Sequence, residues 1–123
     1  MKTVNTDKAP AAIGPYSQAI ISGGLVFTSG QIPVDPATGA VAGETIVEQA
    51  KQVMANLQVV LAAAGTTPER AVKTTCFLAD MADFAAFNEI YAQTFTSKPA
   101  RSCVAVHTLP KGVLCEVEVV AEI

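Results

Sequence analysis

The stretch that decides the fold runs from Thr45 to Gly65 and reads TIVEQAKQVMANLQVVLAAAG. Thr45 and Glu48 form a capping box at its start, and Gly65 stands where a helix-ending glycine belongs. Apolar residues between them recur at steps of three and four, which predicts one amphipathic helix packed against a sheet. The members of this apolar stripe are Ile46, Ala50, Val53, Met54, Leu57, Val60, Leu61 and Ala64. Core packing accounts for the stripe, so we assign it no chemistry.

Strand patterns lie upstream of this helix. Residues 17–21 and 25–29 are short strand-like runs, and the glycine-rich segment 22–24 between them predicts a hairpin turn. Residues 30–43 contain several Gly and Pro residues and are predicted to form a loop.

The pattern continues downstream with a strand over 72–78 and a second helix from Asp80 to about Phe95. Two further strands are predicted at 101–107 and 113–123. The last of these alternates, with its glutamates on one side and its apolar residues on the other. The order strands, helix, strand, helix, strands predicts an α+β fold, one domain over residues 1–123, with both helices on one face of a mixed sheet.

The composition bears on assembly and location. Half of the 123 residues are hydrophobic and only 15% are charged, against about 25% charged in an average domain. So small a body buries this excess poorly, and we therefore expect an oligomer. No apolar run approaches the roughly 18 residues of a membrane helix, and no signal peptide is apparent, which predicts a cytoplasmic protein without membrane contact.

The charge pattern argues against a nucleic-acid partner. The net charge is −3, and the eight Lys and Arg residues are scattered along the chain. A phosphate-backbone binder needs a dense basic surface, so no nucleic-acid partner is expected. The three cysteines, Cys76, Cys103 and Cys115, have no metal-ligand spacing and are interpreted as reduced thiols.

Several familiar catalytic sets are missing. His107 is the single histidine, and without a Gly-x-Ser-x-Gly elbow a Ser-His-Asp hydrolase is not predicted. The sequence also lacks a zinc-ligand set, a P-loop and a dinucleotide fingerprint. We interpret His107 as a surface or rim residue.

Arg101 is the first candidate for chemistry. It follows Lys98-Pro99-Ala100 and opens a strand among apolar neighbours. A guanidinium in such a place matches a carboxylate through two parallel hydrogen bonds. The alternative, which the residues leave equally open, is an internal salt bridge to a glutamate such as Glu116.

Other candidates are weaker by themselves. Glu116 could orient or deprotonate a water, although an alternating strand more often turns such a residue to solvent. Cys103 shares a strand face with Arg101, but nothing nearby is placed to lower its pKa, so a packed thiol is the better interpretation. Ser29-Gly30 ends a strand where a bare N–H can approach a ligand, and Tyr16 follows a Gly-Pro turn.

Taken together, these segments resemble the Rid/YjgF family of reactive-intermediate deaminases, and within it the 2-iminobutanoate/2-iminopropanoate deaminase (RidA) branch. The resemblance runs from about residue 9 to the C-terminus. Its main blocks are AIGPYSQA at 12–19, TSGQIP at 28–33, FLADMADF at 77–84, NEIY at 88–91, PAR at 99–101 and EVE at 116–118.

The resemblance implies a chorismate-mutase-like α+β fold and a homotrimer with active sites in the clefts between subunits. It implies that Arg101 holds the substrate carboxylate, while Glu116 and the Cys103 backbone position a water. The other implied site residues line or build the pocket, Asn88 from the neighbouring subunit; they are Tyr16, Ser29, Gly30 and Asn88.

The implied reaction is hydrolysis of 2-aminoacrylate, 2-aminocrotonate and their imine tautomers to 2-oxo acids and ammonia. No metal or organic cofactor is needed. The competing hypothesis is a trimer that binds small carboxylates or acts as a chaperone without turnover. RNA cleavage is a third hypothesis, and the absence of a basic patch counts against it.

Overall fold

The computed structural model describes residues 1–123 and contains one six-stranded sheet with two helices on one face. The helices are α1 (Ile46–Ala64) and α2 (Phe84–Thr94). The strands are β1 (Lys2–Val4), β2 (Ala19–Ser22), β3 (Leu25–Thr28), β4 (Ala71–Leu78), β5 (Ala100–Ala105) and β6 (Cys115–Glu122). The predicted α+β class with a mixed sheet is confirmed.

Helix α1 has the ends that its sequence predicts. The Thr45 hydroxyl accepts a hydrogen bond from the Glu48 N–H at 3.2 Å and donates one to the Glu48 carboxylate at 2.9 Å. Gly65 ends the helix in the left-handed region, at φ 88°. All eight members of the predicted apolar stripe are buried, so the stripe does form the core between helix and sheet.

The sheet has the strand order β1-β2-β3-β6-β4-β5. Strands β4 and β5 run parallel, and every other neighbouring pair is antiparallel. Strand β5, which carries Arg101, therefore lies at one edge of the sheet, next to β4 and remote from the β2–β3 hairpin.

Two sequence predictions about local structure were wrong. Strand β1 was not predicted, because three residues are too few to show alternation; it forms by pairing with β2. Helix α2 begins at Phe84 rather than at Asp80, since the Asp80 carboxylate accepts from the Ala82 N–H at 2.8 Å and caps a separate 3₁₀ turn over Met81–Asp83. The remaining strand ends differ from the predicted ones by about two residues.

The two faces of the sheet differ sharply. The face toward the helices is closed, and on it Cys76 and Val117 are paired in register and fully buried. No helix covers the opposite face, which we call the open face. Phe27 and Val104 on this face remain 43% and 46% exposed.

Candidate active site

Arg101 lies on the helix side of β5. Its Nη1 donates a hydrogen bond to Asn88 Oδ1 at 2.7 Å. The guanidinium carbon lies 4.7 Å from the ring centre of Tyr91 and 5.5 Å from that of Phe84. Three residues of α2 thus hold the guanidinium, and its remaining N–H donors are free for a ligand.

Glu116 lies on the other face of the sheet. Its register partner is Phe77, whereas the neighbouring residue Val117 pairs with the buried Cys76. Since alternate residues of a strand point to opposite faces, Glu116 belongs to the open face. The internal salt bridge between Arg101 and Glu116, which the sequence left open, therefore does not form within one chain.

Asn88 corrects one expectation. The family resemblance implied that this residue enters the cleft from the neighbouring subunit, but Asn88 contacts Arg101 of its own chain. Both residues line a cavity of about 300 Å³, to which Tyr91 and Lys98 also contribute. Asn88 and Arg101 of one chain therefore lie on the same side of this cavity and contact each other.

Glu116 lies directly against Gly30. A β-carbon added to Gly30 would overlap the Glu116 carboxylate, so the absence of a side chain there makes room for this carboxylate. Burial raises the pKa of Glu116 above its ordinary value, and the nearby negative charge of Glu118 adds to the effect. A carboxylate with a raised pKa is a stronger base near neutral pH.

Tyr16 and Gly30 line a second cavity, of about 500 Å³, and Gly30 is the residue against which the Glu116 carboxylate lies. The Tyr16 side chain is 54% exposed. Ser29 is next to Gly30, but its hydroxyl donates to the Ser17 carbonyl at 2.6 Å and so stabilises the loop that precedes β2.

The thiols agree with their interpretation as packed groups. Burial raises the pKa of Cys103, although the Arg101 charge and a hydrogen bond with Cys76 lower it in part. Burial also raises the pKa values of Cys76 and Cys115 to about 12. All three cysteines are free of disulfides. His107 is exposed, as predicted.

The sequence patterns assigned no role in the site to Phe84 or Tyr91. Their spacing relative to Asn88 carries a signal. Phe84 is four residues before Asn88 and Tyr91 three residues after it, which puts all three on one helix face. Without the strand order, nothing connected this face to Arg101.

The candidate residues thus form two groups. The arginine half-site consists of Arg101, Asn88, Tyr91 and Phe84, and the glutamate half-site consists of Glu116, Gly30, Tyr16 and Ser29. The sheet separates the Arg101 side chain from that of Glu116.

A sequence profile described as endoribonuclease L-PSP matches residues 6–123. The chain belongs to this family. The match confirms the resemblance to the Rid/YjgF proteins, since a deaminase of that kind is among the relatives.

Close relatives of this Rid-family chain carry different descriptions. A RutC family protein of Synechocystis sp. is 56% identical, over 98% of this chain and 95% of the relative. The 2-iminobutanoate/2-iminopropanoate deaminase of Salmonella typhimurium is 51% identical, over 98% of this chain and 96% of the relative. Among solved structures, E. coli TdcF with bound serine superimposes with a TM-score of 0.95 at 42% identity, over 100% of this chain and 99% of that one.

No helix is both long and apolar enough to cross a membrane. No group of three or more His, Cys, Asp or Glu side chains is placed to hold a metal ion.

Proposed function

We propose that this protein hydrolyses short 2-imino and 2-enamino acids to 2-oxo acids and ammonia, in clefts shared between the subunits of a homotrimer. The observation that carries the proposal is the arginine half-site. It presents a half-buried guanidinium with free N–H donors and no carboxylate of its own chain as partner.

The ligand class follows from the chemistry of Arg101. A guanidinium binds a carboxylate through two parallel hydrogen bonds, and this is the geometry that the free donors offer. The 51% identity to a protein named for 2-imino acid deamination supports such a substrate. Bound serine in the similar TdcF structure supports a small molecule with a carboxylate next to a nitrogen.

The glutamate half-site supplies the water. Anchoring of the carboxylate by Arg101 orients the C=N carbon for attack. A water held by Glu116 of an adjacent subunit adds to that carbon, and Glu116 takes the proton that the water releases. Glu116 passes this proton to the nitrogen, which gives a carbinolamine. The hydroxyl proton of the carbinolamine then moves to the amine by way of the same carboxylate, the C–N bond breaks, and ammonia leaves as the C=O bond forms.

The proposal of a trimer is supported by the difference between the two faces of the sheet. The open face exposes apolar side chains, among them Phe27 and Val104, that a second copy would bury. It also carries Glu116, so burial of this face brings the carboxylate to the subunit boundary. A head-to-tail ring of three copies would pair each arginine half-site with a glutamate half-site.

The test is a coupled assay with a threonine dehydratase. The added protein should shorten the lifetime of the enamine, seen by its absorbance, and speed the release of 2-oxobutanoate to the same extent. A protein that only binds carboxylates without turnover would leave the rate of release unchanged or lower it. That outcome would replace the deaminase by the binding protein as the function.

A further inference from the structure

Tyr91, whose ring packs against the Arg101 guanidinium, is itself held in place by a hydrogen bond of its hydroxyl. The Tyr91 hydroxyl and the Thr74 hydroxyl share a hydrogen bond of 2.6 Å. Tyr91 is 8% exposed and Thr74 is fully buried. A bond between two buried hydroxyls has no water to replace it, so it holds the ring in one place.

The position of Thr74 in the sheet explains why this bond concerns Arg101. Thr74 of β4 is the register partner of Arg101 on β5. The pairing of β4 with β5 therefore fixes the backbone position of Arg101. It also fixes the position of Thr74, whose hydroxyl holds the Tyr91 ring on which the guanidinium packs. Helix α2 closes the arrangement, because it carries Tyr91 and Asn88 one turn apart.

The ring has further support. Its centre lies 5.9 Å from that of Phe87 and 4.8 Å from that of Phe95, so two rings of α2 and one from the residue that follows the helix pack in series. Phe87 and Phe95 are both buried. Arg101 packs on this supported ring, with its guanidinium carbon 4.7 Å from the ring centre.

We propose that the Tyr91–Thr74 pair is a positioning device that sets the plane of the Arg101 guanidinium for a carboxylate ligand. Arginine has a long side chain with many rotamers, and two-pronged binding needs a defined plane. Asn88 fixes one Nη and leaves rotation about that hydrogen bond, whereas the ring beneath removes this freedom. The role in ligand binding rests on the function proposed above, but the effect on Arg101 itself does not.

The decisive measurement uses a feature of this sequence: Arg70 and Arg101 are its two arginines. The Nε–H region of an NMR spectrum of the assembled protein therefore contains one signal from each. Thr74→Val removes the hydroxyl partner and keeps the side-chain size. We expect the order parameter of the Arg101 Nε–H to fall to the flexible range, below about 0.6. That of Arg70, whose Nε donates to the Glu122 carbonyl, should stay unchanged.

Matched variants separate this role from general loosening. Thr75→Val makes the same change on the opposite face of the same strand and should leave both arginine signals as in the wild type. Tyr91→Phe keeps the ring and loses the hydroxyl, and it should reproduce the effect of Thr74→Val. Thr74→Ser keeps the hydroxyl and should restore the wild-type value.

Ligand binding provides the second readout. Thr74→Val and Tyr91→Phe should raise the Kd for 2-oxobutanoate and the KM for the imine by about tenfold, the size of one charge-assisted hydrogen bond. The Kd for 2-oxobutanamide, which lacks the carboxylate, should not change, and kcat should fall less than KM rises. A purely structural role would weaken both ligands equally.

Two different failures can be told apart. An Arg101 order parameter that stays at the wild-type value in folded Thr74→Val and Tyr91→Phe overturns the positioning device, whatever the reaction is. Wild-type binding of 2-oxobutanoate by Arg101→Ala overturns the carboxylate anchor and hence the proposed function. The order parameter of Arg101 in the Thr74 and Tyr91 variants does not depend on whether the protein binds 2-oxobutanoate.

Discussion

At the scale of single residues, the environment of Arg101 decides what the site can bind. The guanidinium has one hydrogen bond within the chain, at 2.7 Å to Asn88, and packs on an aromatic ring at 4.7 Å. These neighbours are neutral, so the positive charge is left for a ligand. An anion with two oxygens in one plane satisfies it best.

Arg101→Ala should therefore abolish imine turnover and leave the fold intact. Arg101→Lys should recover little activity, because an ammonium lacks the planar pair of donors. The measurement is kcat/KM in the coupled dehydratase assay, with circular dichroism as the check on folding. Normal turnover by the folded alanine variant would contradict the mechanism.

The raised pKa of Glu116 predicts the acid limb of the pH profile. The active form is the carboxylate, so activity is present above this pKa and is lost as the pH falls through it. Because burial raises the pKa, the midpoint of kcat/KM against pH should lie above 4.5, the ordinary value. Glu118→Gln removes a negative neighbour and should move the midpoint to lower pH. Glu116→Gln should remove this limb, and an unchanged limb in that variant would assign it to another group.

Cys103 offers a test of direct hydration against a sulfur nucleophile. Burial raises its pKa, so at neutral pH the group is a thiol and a poor nucleophile. Cys103→Ser should retain most activity, whereas Glu116→Gln should lose about 10²-fold or more in kcat. Both rates come from the coupled assay. A folded but inactive serine variant would favour a covalent intermediate.

At the scale of elements, α1 does more than supply the core. Asn56 is 1% exposed, and its amide donates to the Val34 carbonyl at 3.0 Å and the Ile32 carbonyl at 3.2 Å. The helix thereby fixes the loop that leaves Gly30 and passes beside the glutamate half-site. The position of Gly30 thus depends on a residue of the core helix.

Asn56→Ala should lower the free energy of unfolding by about 1–3 kcal/mol, since it leaves the Val34 carbonyl without a partner in a buried place. The Ile32 carbonyl keeps its hydrogen bond from the Val34 N–H at 2.8 Å. Urea denaturation measures the change. Gln58→Ala, on the exposed side of the same helix, is the matched control and should stay within about 0.5 kcal/mol of the wild type. Equal stabilities for the two variants would show that the loop does not depend on Asn56.

At the scale of the whole molecule, the separation of the half-sites by the sheet has a direct consequence. Arg101 faces the helices at the edge strand, and Glu116 faces the open side. The two side chains thus lie on opposite faces of the sheet of one chain. The proposed cleft between subunits therefore predicts that activity depends on assembly.

Mixing two inactive proteins tests this sharing of sites. Arg101→Ala and Glu116→Gln homotrimers should each be nearly inactive. Unfolding and refolding them together at equal amounts should restore activity to about a quarter of the wild-type value, because a random ring pairs an intact arginine with an intact glutamate at one boundary in four. Sedimentation should give the mass of three chains. No restoration in mixed trimers would place both residues in one chain's site.

The sequence by itself determined the features that depend on near neighbours. Thr45, Glu48 and Gly65 set both ends of α1 through contacts within one turn, and the alternation in 115–122 determined which residues of β6 are buried. Arg101 stood out because a charged residue among apolar ones needs a partner. The inferences about α1 and β6 held because caps and periodicity act over a few residues.

Only the tertiary structure decided what lies beside what. It paired β1 with β2, placed Tyr91 beneath Arg101, moved Asn88 to the same chain as that arginine, and put Glu116 on the other face. Each of these depends on strand order and register, and so on contacts between residues far apart in the chain. Short windows carry little information about such contacts, because many pairings of similar strands satisfy the same local pattern.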